Sequence, residues 1–589
     1  MRRDLLAFAI ANVVALAWAL FALLQPWVGA DPDETQRAIA QRYVPFALVL
    51  AACGTALVAT VLSPERRAAF LRRHFAIYLL VPAILFPLSR GEALLNGQIG
   101  AIYLFAIALW TAHALEGMWH VVANIQDARA ALLLSGVLLV PFLALMPYHR
   151  AVMPTASDEP HYLVIVQSLL ADRDLDLKNE YDSETYRAYY PDRLPDRHII
   201  QVGEAQFPIR DLGLPILSAV PFAIGGRLGV EAFMCLVGAA LAAQLYLACR
   251  DLGVAHRAAF LGTAIGCLAH PVLTYTTQIY PELLAALAFM SAARLLRDGR
   301  AASAWSLAGA SALLGVLPWL STRAILIAVG AGLVVAYCAL RPLDRRPATM
   351  AARAIAAAAP FVVFVVALSA LNWRMFGLFM PGAGYYVVRD QQQVLTFAPQ
   401  VGALGLLFDR VFGLIPRAPI FLIAAIGAIP LWRRGSSATL IALLLGWSAY
   451  LLFIADIAYW WADGSPPSRY LLAGIPLVVV ALAAGLEQVL ARGGAWRAAA
   501  AVLAAASLFI GYVYAALPDI RYDLALDVRA SGSEGALFTF LGRIVRPDPA
   551  LLAPSLVQAA PLDLAMGALW LVLVVALAMF GANKERRQP

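Results

Sequence analysis

Apolar runs of about 20 residues recur along the whole chain and are separated by shorter polar connections. A helix needs about 20 apolar residues to cross the hydrocarbon core of a bilayer, so each run predicts a transmembrane helix. A β-barrel would show short segments of alternating polarity instead. We therefore predict an all-α polytopic membrane protein, a helical bundle with about sixteen spans. The predicted spans are 5–29, 43–63, 75–88, 100–121, 131–147, 231–250, 257–273, 282–297, 303–318, 323–340, 354–372, 415–432, 436–455, 471–490, 496–517 and 564–581.

Basic residues concentrate in every second connection between the predicted spans, beginning with Arg2 and Arg3. Because short basic loops stay in the cytoplasm, this register predicts that both chain termini are cytoplasmic. The first apolar run is longer than that of a typical signal peptide, so we expect it to be retained as a span. The segments predicted to be extracytoplasmic are 148–230, 373–414, 456–470 and 518–562.

Composition supports this class and excludes several functions. Hydrophobic residues make up 62% of the chain and charged residues only 14%, whereas a soluble globular protein carries about 25% charged residues. The isoelectric point near 9.2 is explained by arginines at membrane edges, so we predict no nucleic-acid partner. The five cysteines all lie in apolar runs and predict no disulfide framework. Without a Gly-rich loop or a separate soluble domain, the chain offers no evident site for ATP or a nucleotide sugar.

The longest predicted external loop, 148–230, contains an unusually acidic stretch, Thr155 to His198. Near its start stands the sequence Ser157-Asp158-Glu159-Pro160-His161-Tyr162. Proline suits the first turn of a helix, so the two acids are predicted at a helix N-terminus. Capping would account for one acid. It does not account for two acids, a histidine and a tyrosine at the mouth of a membrane bundle, so we predict a functional site.

Two apolar segments of this loop are predicted to lie at the membrane interface. The sequence PHYLVIVQSLLA, beginning at Pro160, has a helical pattern. The sequence DLGLPILSAVPFAIGG, beginning at Asp211, is apolar but is predicted to be broken by Pro215 and Pro221.

An Asp-Glu motif in the first long external loop, followed closely by a basic residue and an aromatic residue, resembles the glycosyltransferase-C superfamily of membrane enzymes. Protein O-mannosyltransferases and the lipid A aminoarabinose transferases are its best-known members. The segments Asn372–Gly377 and Tyr459–Leu472 resemble later external loops of bacterial members. The resemblance covers about 131–517 and implies a glycosyltransferase-C core with external juxtamembrane helices and a catalytic loop at 148–230. Spans in 1–130 have no predicted function, and 518–589 supplies a further external segment and the last span.

The resemblance implies inverting transfer of a sugar from a polyprenyl-phosphate donor to a hydroxyl acceptor at the extracytoplasmic face of a bacterial inner membrane. The acceptor is a lipid, a glycan or a protein. Asp158 matches the catalytic acid and would be the general base, with Glu159 orienting the acceptor and His161 and Tyr162 contacting substrate. A phosphate leaves without a general acid, so one base suffices. We expect Glu159 and the membrane boundary to raise the pKa of Asp158.

A lipid phosphate needs positive charge, which the fork of arginine provides well. The external candidates are Arg210, Arg323, Arg374, Arg410, Arg417 and Arg469. Each one alone is equally a snorkelling interfacial side chain. Arg469 and Arg210 are favoured, because Arg469 follows a proline pair near Trp461 and Arg210 stands where aminoarabinose transferases carry a lysine. The tryptophan is also compatible with an interfacial aromatic belt.

Tyr280 and Glu282 lie at the external end of a predicted span. A carboxylate there costs free energy unless it is paired or used. Substrate contact and pairing with an external arginine are both compatible with the sequence.

Alternating aspartates in the acidic stretch, Asp172, Asp174 and Asp176, have side chains on one side of an extended segment. Their oxygens suit a divalent cation, but a solvated loop explains them equally well. We predict no metal and no cofactor, with a divalent cation as the alternative.

Two other functional classes stay open. A flippase or transporter of lipid-linked sugars would need polar residues through the spans and broken helices at the midplane. A polysaccharide polymerase would use the same lipid carriers and differs here only by the Asp-Glu motif.

Overall fold

The structure, a computed structural model, describes residues 44–74, 76, 99–152, 155–195, 198–342, 346–388, 394–435, 437–462, 464–522 and 535–583. The predicted spans that fall within these ranges are helical, although those at 257–273, 415–432 and 471–490 are each divided between shorter helices. The spans predicted at 5–29 and 75–88 lie outside the described residues, apart from residue 76. The prediction of an all-α polytopic membrane protein is confirmed.

The principal elements follow one another as an almost uninterrupted series of helices. In chain order they are α1 (Val44–Ala59), α2 (Ile99–Trp119), α3 (Asp127–Val152), α4 (Glu159–Ala171), α5 (Lys178–Asp182), β1 (Ile199–Val202), β2 (Ala205–Pro208), α6 (Gly213–Asp251), α7 (His256–Leu268), α8 (Val272–Tyr275), α9 (Pro281–Leu295), α10 (Ala304–Leu320), α11 (Ile325–Leu340), α12 (Pro347–Phe376), α13 (Ala383–Val387), α14 (Pro399–Phe408), α15 (Leu414–Arg417), α16 (Leu422–Arg433), α17 (Ala438–Asp456), α18 (Arg469–Leu472), α19 (Ile475–Leu490), α20 (Gly494–Ala516), α21 (Ala536–Ile544) and α22 (Pro561–Asn583).

Within the described ranges, seven helices are long and apolar enough to cross a membrane, judged by length and composition. They are α3, α6, α11, α12, α17, α20 and α22, and the shorter apolar helices α1, α10, α14, α16 and α19 pack among them. Local chemistry sets several helix ends. The Ser303 side chain accepts a hydrogen bond from the Ser306 N–H before α10, and Ser437 caps α17 in the same way. Gly377, with a φ of 72°, ends α12 in the left-handed conformation that glycine tolerates.

The prediction that Pro215 and Pro221 break their segment is wrong. Residues 213–251, which we label α6 as a whole, form two helices that join at a sharp kink with non-helical backbone at Gly225 and Gly226, and both prolines lie within the first of them. Pro215 falls in the first turn, where its missing N–H has no helical partner to lose. Gly226, with a φ of 56°, adopts a conformation that a side chain would strain.

Helices α16 and α19 approach closely because small residues face each other. A β-carbon on Gly427 would meet the Ala481 carbonyl oxygen at 2.0 Å, and one on Gly485 would meet that of Ile423 at 2.0 Å. Small residues of this kind bring helix backbones together in membranes. The last helix, α22, packs on the same α16. The last helix therefore packs into the same bundle as the core.

The acidic loop folds over one end of the bundle, which we call the site end. There α3 ends and α9, α11 and α19 begin. Strands β1 and β2 form an antiparallel hairpin in which Ile199 pairs with Pro208. The Leu177 N–H donates to the Gln206 carbonyl and so fixes the acidic loop to the hairpin. These contacts place α4 and the segment before α6 beside the ends of the long helices.

Candidate functional site

Asp158 occupies the turn that precedes α4. Ser157 has a positive φ of 53°, and helix α4 then begins at Glu159 with Pro160 in its first turn, as the sequence predicts. The Asp158 side chain makes no capping hydrogen bond to the helix. The interpretation of this acid as a simple helix cap is therefore wrong.

Two arginines bind the Asp158 carboxylate, one at each oxygen. Arg210 Nη2 lies 2.6 Å from Oδ1, and Arg469 Nη1 lies 2.8 Å from Oδ2. The Asp158 side chain is only 6% exposed, and those of Arg210 and Arg469 are 16% and 8% exposed. We call these three residues the Asp158 clamp. The two favoured arginines of the sequence thus meet at one carboxylate, although 259 residues separate them.

The clamp reverses the expected shift in the pKa of Asp158. Burial on its own would raise this pKa, but the charges of Arg210, Arg469 and His198 together hold it well below its ordinary value. The prediction of a raised pKa is therefore wrong, because it considered the neighbouring acid and the membrane but not two arginines. Asp158 is ionised at neutral pH and is a weak base while both arginines bind it.

Arg469 also binds Glu282, in the first turn of α9. Its Nε lies 2.7 Å from Glu282 Oε1, and its guanidinium carbon lies 4.4 Å from the centre of the Tyr280 ring. The Tyr280 hydroxyl is buried and forms no hydrogen bond with the described residues. Of the two interpretations of Glu282, the structure favours pairing with an arginine. Arg469 is consequently held from two sides and stacked on an aromatic ring.

Glu159 faces the opposite way and binds backbone. Its Oε1 accepts a hydrogen bond from the Ile279 N–H at 2.8 Å, and its Oε2 accepts one from the Ala156 N–H at 3.1 Å. Burial raises the pKa of Glu159 to about 7, opposed by Arg227. In this structure Glu159 ties the Asp158 turn to the segment before α9. Its contact with an acceptor stays a prediction.

His161 and Tyr162 lie on either side of this turn. His161 Nδ1 is 2.6 Å from the Tyr181 hydroxyl, and the His161 ring lies 3.9 Å from that of His198. Tyr162 is 3% exposed, and burial together with the charge of Asp158 raises the pKa of its hydroxyl well above the ordinary value. His161 therefore packs behind the clamp, and Tyr162 lies beside it. Substrate contact by either residue stays a prediction.

A third arginine joins the cluster. Arg323, in the turn before α11, lies with its guanidinium carbon 4.8 Å from the centre of the Tyr470 ring, and Arg469 lies 6.0 Å from the same centre. The Arg323 Nε is buried without a hydrogen-bond partner, and Arg323 has no ion pair among the described residues. Unlike Arg210 and Arg469, Arg323 has no described carboxylate in direct contact with its guanidinium group.

The other predicted residues lie elsewhere. Trp461 is buried and packs against Trp460, with ring centres 5.4 Å apart, in the loop that leads to α18. Arg417 is buried and donates to the carbonyl oxygens of Arg410 and Gly413. Arg374 is exposed near the end of α12. Three of the six candidate arginines therefore converge, and the other three do not.

The alternating aspartates make local contacts. Asp174 Oδ1 accepts from the Ser168 hydroxyl, Asp176 Oδ1 accepts from the Gln206 N–H, and Asp172 accepts from the Asn179 side chain. Within the described part of the chain, no group of three or more histidine, cysteine, aspartate or glutamate side chains is arranged to hold a metal. The absence of a cofactor stays a prediction.

Two residues of the cluster had no signal in the sequence analysis. His198 Nδ1 accepts from Arg210 Nε at 3.1 Å. Asp211 accepts from the backbone and the hydroxyl of Thr322, at 3.0 and 2.6 Å, and so holds the turn that carries Arg323. The sequence offered no signal for His198, and for Asp211 it offered only its place next to Arg210.

The fold and the site together define a polytopic helical membrane protein with a buried cluster of arginine and carboxylate side chains at one end. No protein-family model and no curated protein matches the chain. Among solved structures, the archaeal oligosaccharyltransferase AglB from Archaeoglobus fulgidus, in complex with an inhibitory peptide and a dolichol-phosphate, aligns with 71% of this chain and 60% of its own, at 14% identity and a TM-score of 0.38. The apo form of the Archaeoglobus fulgidus oligosaccharyltransferase aligns with 72% of this chain and 60% of its own, at 15% identity and a TM-score of 0.37.

This chain thus spans about three fifths of the length of the solved structures that it matches. Both neighbours are oligosaccharyltransferases from Archaeoglobus fulgidus. Neither is one of the members named from the sequence. We transfer no residue role from them.

Proposed function

We propose that this protein transfers a sugar from a polyprenyl-phosphate donor to a hydroxyl acceptor at the site end of the bundle. The observation that carries the proposal is the Asp158 clamp, a buried carboxylate within 2.6 and 2.8 Å of two arginines. Such a site combines a base for a hydroxyl group with cations for a phosphate leaving group. In a membrane bundle, buried charges of this kind mark functional sites.

In the proposed reaction, Asp158 accepts the proton of the acceptor hydroxyl as its oxygen attacks the anomeric carbon. The bond between this carbon and the phosphate oxygen breaks, and the phosphate leaves with the electron pair. Attack from the face opposite the phosphate inverts the configuration. Because phosphate is a good leaving group, the arginines need only stabilise its charge.

Arg323 supports a phosphate at this end of the bundle. Its guanidinium lies beside Tyr470, near Arg469, and forms no ion pair with the described residues. Arginine binds phosphate oxygens through two parallel hydrogen bonds. We assign Arg323 to the donor phosphate.

An apolar cavity supports a lipid-linked donor. It has a volume of about 440 Å³ and lies between α10, α11 and α12, with Leu314, Ala328, Gly332 and Phe361 among its lining residues. Ala328 lies little more than one helical turn beyond Arg323. An isoprenoid chain whose phosphate binds Arg323 would pass directly into this cavity.

The transporter alternative finds less support. It needs polar groups along a path through the bundle. The ion pairs whose two side chains are both buried or nearly so, within the described ranges, are those of the clamp, Arg469 with Glu282, and Arg227 with Glu231. All of them gather toward the site end. A polymerase would use the same lipid carriers to join whole oligosaccharides, and only the Asp-Glu motif separates it from the proposed enzyme.

The proposal is tested in cells that lack the gene and carry either the wild-type chain or Asp158→Asn at equal protein level. Mass spectrometry of lipids and surface glycans should reveal a sugar modification that the wild type restores and the variant does not. The modification would identify sugar and acceptor together. Full restoration by Asp158→Asn would contradict the proposal.

A further inference from the structure

In the structure the Asp158 clamp is closed, which means that guanidinium groups already occupy both oxygens of the carboxylate. Each carboxylate oxygen already binds one guanidinium, and the pKa of Asp158 is held well below its ordinary value after its burial is offset by Arg210, Arg469 and His198. A general base must lie within about 2.6–3.2 Å of the proton it takes and must hold that proton. The closed clamp therefore binds charge well but accepts a proton poorly.

Each of the two arginines has a second partner besides Asp158, so it can lose its contact with Asp158 and still be held in place. Arg469 binds Glu282 through Nε and Asp158 through Nη1, and it stacks on Tyr280. Arg210 contacts His198 Nδ1 through both Nε, at 3.1 Å, and Nη2, at 2.8 Å, and the same Nη2 binds Asp158. The Nε contact anchors each guanidinium, so the terminal nitrogens can change partner without large movement of the side chain.

Each guanidinium also has a terminal nitrogen to spare. Arg210 Nη1 and Arg469 Nη2 form no hydrogen bond with the described residues, whereas the other nitrogens of these two side chains do. A phosphate offers several oxygens to such groups and binds arginine more strongly than a single carboxylate oxygen can. Arg323, which forms no ion pair with the described residues, lies beside the same Tyr470 ring as Arg469. A phosphate bound at Arg323 would therefore lie close enough to compete for Arg469.

We propose that the donor phosphate opens the Asp158 clamp, so that Asp158 becomes a competent base only after the donor is bound. This inference rests on the proposed function. In the resting state Arg210 and Arg469 neutralise Asp158. On donor binding, their N–H groups turn to phosphate oxygens, and no covalent bond changes. Asp158 then accepts the acceptor proton in the transfer step described above. The arrangement orders the reaction with the donor first and protects the donor from premature attack.

The inference predicts tighter phosphate binding when the carboxylate is neutralised. Asp158→Asn removes the competitor for Arg210 and Arg469, so we expect its affinity for undecaprenyl phosphate to exceed that of the wild type by about tenfold. A merely structural carboxylate would give the opposite result, because its loss would disorder the arginines. Binding is measured on the purified full chain in detergent or nanodiscs, with undecaprenol as the ligand without phosphate.

Glu184→Gln is the matched control. It removes one negative charge from the same loop, where Glu184 pairs with Arg187 at the surface, and should change affinity less than twofold. If Asp158→Asn does not fold, Asp158→Ser neutralises the same position and gives the same test. Equal or weaker phosphate binding by the neutral variant overturns the clamp inference alone when the wild type prefers the phosphate. Failure of both proteins to prefer the phosphate over the alcohol overturns the proposed function as well.

Discussion

Two buried aspartates near the same end of this molecule are held in opposite ways. Asp158 is bound by the side chains of Arg210 and Arg469. Asp409, between α14 and α15, is fully buried and accepts four backbone hydrogen bonds, two from Val411 and Phe412 and two from residues 556 and 557. One carboxylate has exchangeable partners, and the other has permanent ones.

Their pKa values shift in opposite directions. Burial raises the pKa of Asp409, and the backbone donors only partly offset this effect. The pKa of Asp158 is lowered despite its burial, because two full positive charges lie against it. Backbone N–H groups cannot leave without unfolding the loop, whereas guanidinium groups can turn to another anion. The difference separates a carboxylate that joins segments of the chain from one whose side-chain partners are exchangeable.

The largest expected effect is on catalysis at Asp158. Asp158→Asn should lower the rate of sugar transfer by at least about 100-fold, since a positioned general base contributes that much or more. The effect of this substitution on thermal stability should be smaller than its effect on the rate, because Arg469 keeps its contact with Glu282 and Arg210 keeps its contact with His198. Transfer is measured with purified protein and a synthetic polyprenyl-phosphate sugar. A variant with near-normal turnover would remove Asp158 from the mechanism.

Asp409→Asn is the matched substitution and should show the reverse. Its amide nitrogen would face two backbone N–H groups that lose their acceptor, at a cost of about 2–4 kcal/mol in stability. The thermal midpoint in detergent should fall, while the transfer rate of the protein that remains folded should be close to normal. An unchanged midpoint would show that the carboxylate is not needed to hold residues 556 and 557.

Glu159 tests an intermediate case, a carboxylate in the motif that is held by backbone. Its pKa is raised from 4.5 to about 7 in the folded protein, so the folded state binds the proton more tightly than the unfolded state. The contribution of Glu159 to stability should be greatest below about pH 4.5 and should be lost as the pH rises to about 7, a change of at most about 3 kcal/mol. Thermal midpoints measured across this range check the prediction.

Burial also raises the pKa of Glu180 to about 7, so the assignment needs two variants. Glu159→Gln should remove the part of the decline that is due to Glu159, and Glu180→Gln should leave that part in place. If the thermal midpoint of Glu159→Gln depends on pH as steeply as that of the wild type, the titration belongs to another group.

The smallest expected effect concerns Arg323, a cation that lacks a carboxylate partner. Arg323→Gln should raise the KM for the lipid donor about tenfold through the loss of charged hydrogen bonds, with a smaller change in kcat. Arg374→Gln, at an exposed arginine near the end of α12, is the control and should stay within twofold of the wild type. Equal effects of the two substitutions would indicate a general influence of charge at the membrane surface.

The sequence by itself determined the helical membrane class, most of the helices and the start of α4. Hydropathy is a local property, and each run of apolar residues specifies its own helix whatever its neighbours are. Pro160 likewise restricts only its own turn. The break expected in α6 at its prolines was wrong because the backbone there tolerates them, and Gly225 and Gly226 supply the kink instead.

The tertiary structure alone decided which charges meet. Arg469 reaches Asp158 across 311 residues of sequence, and Glu159 binds the Ile279 N–H across 120. Asp409 joins a segment 147 residues later. The sign of the shift in the pKa of Asp158 depends on distances of a few ångström to these partners, because electrostatic energies fall with separation in space and not along the chain. The motif therefore located the carboxylate, and only the packed bundle determined its ionisation and its partners.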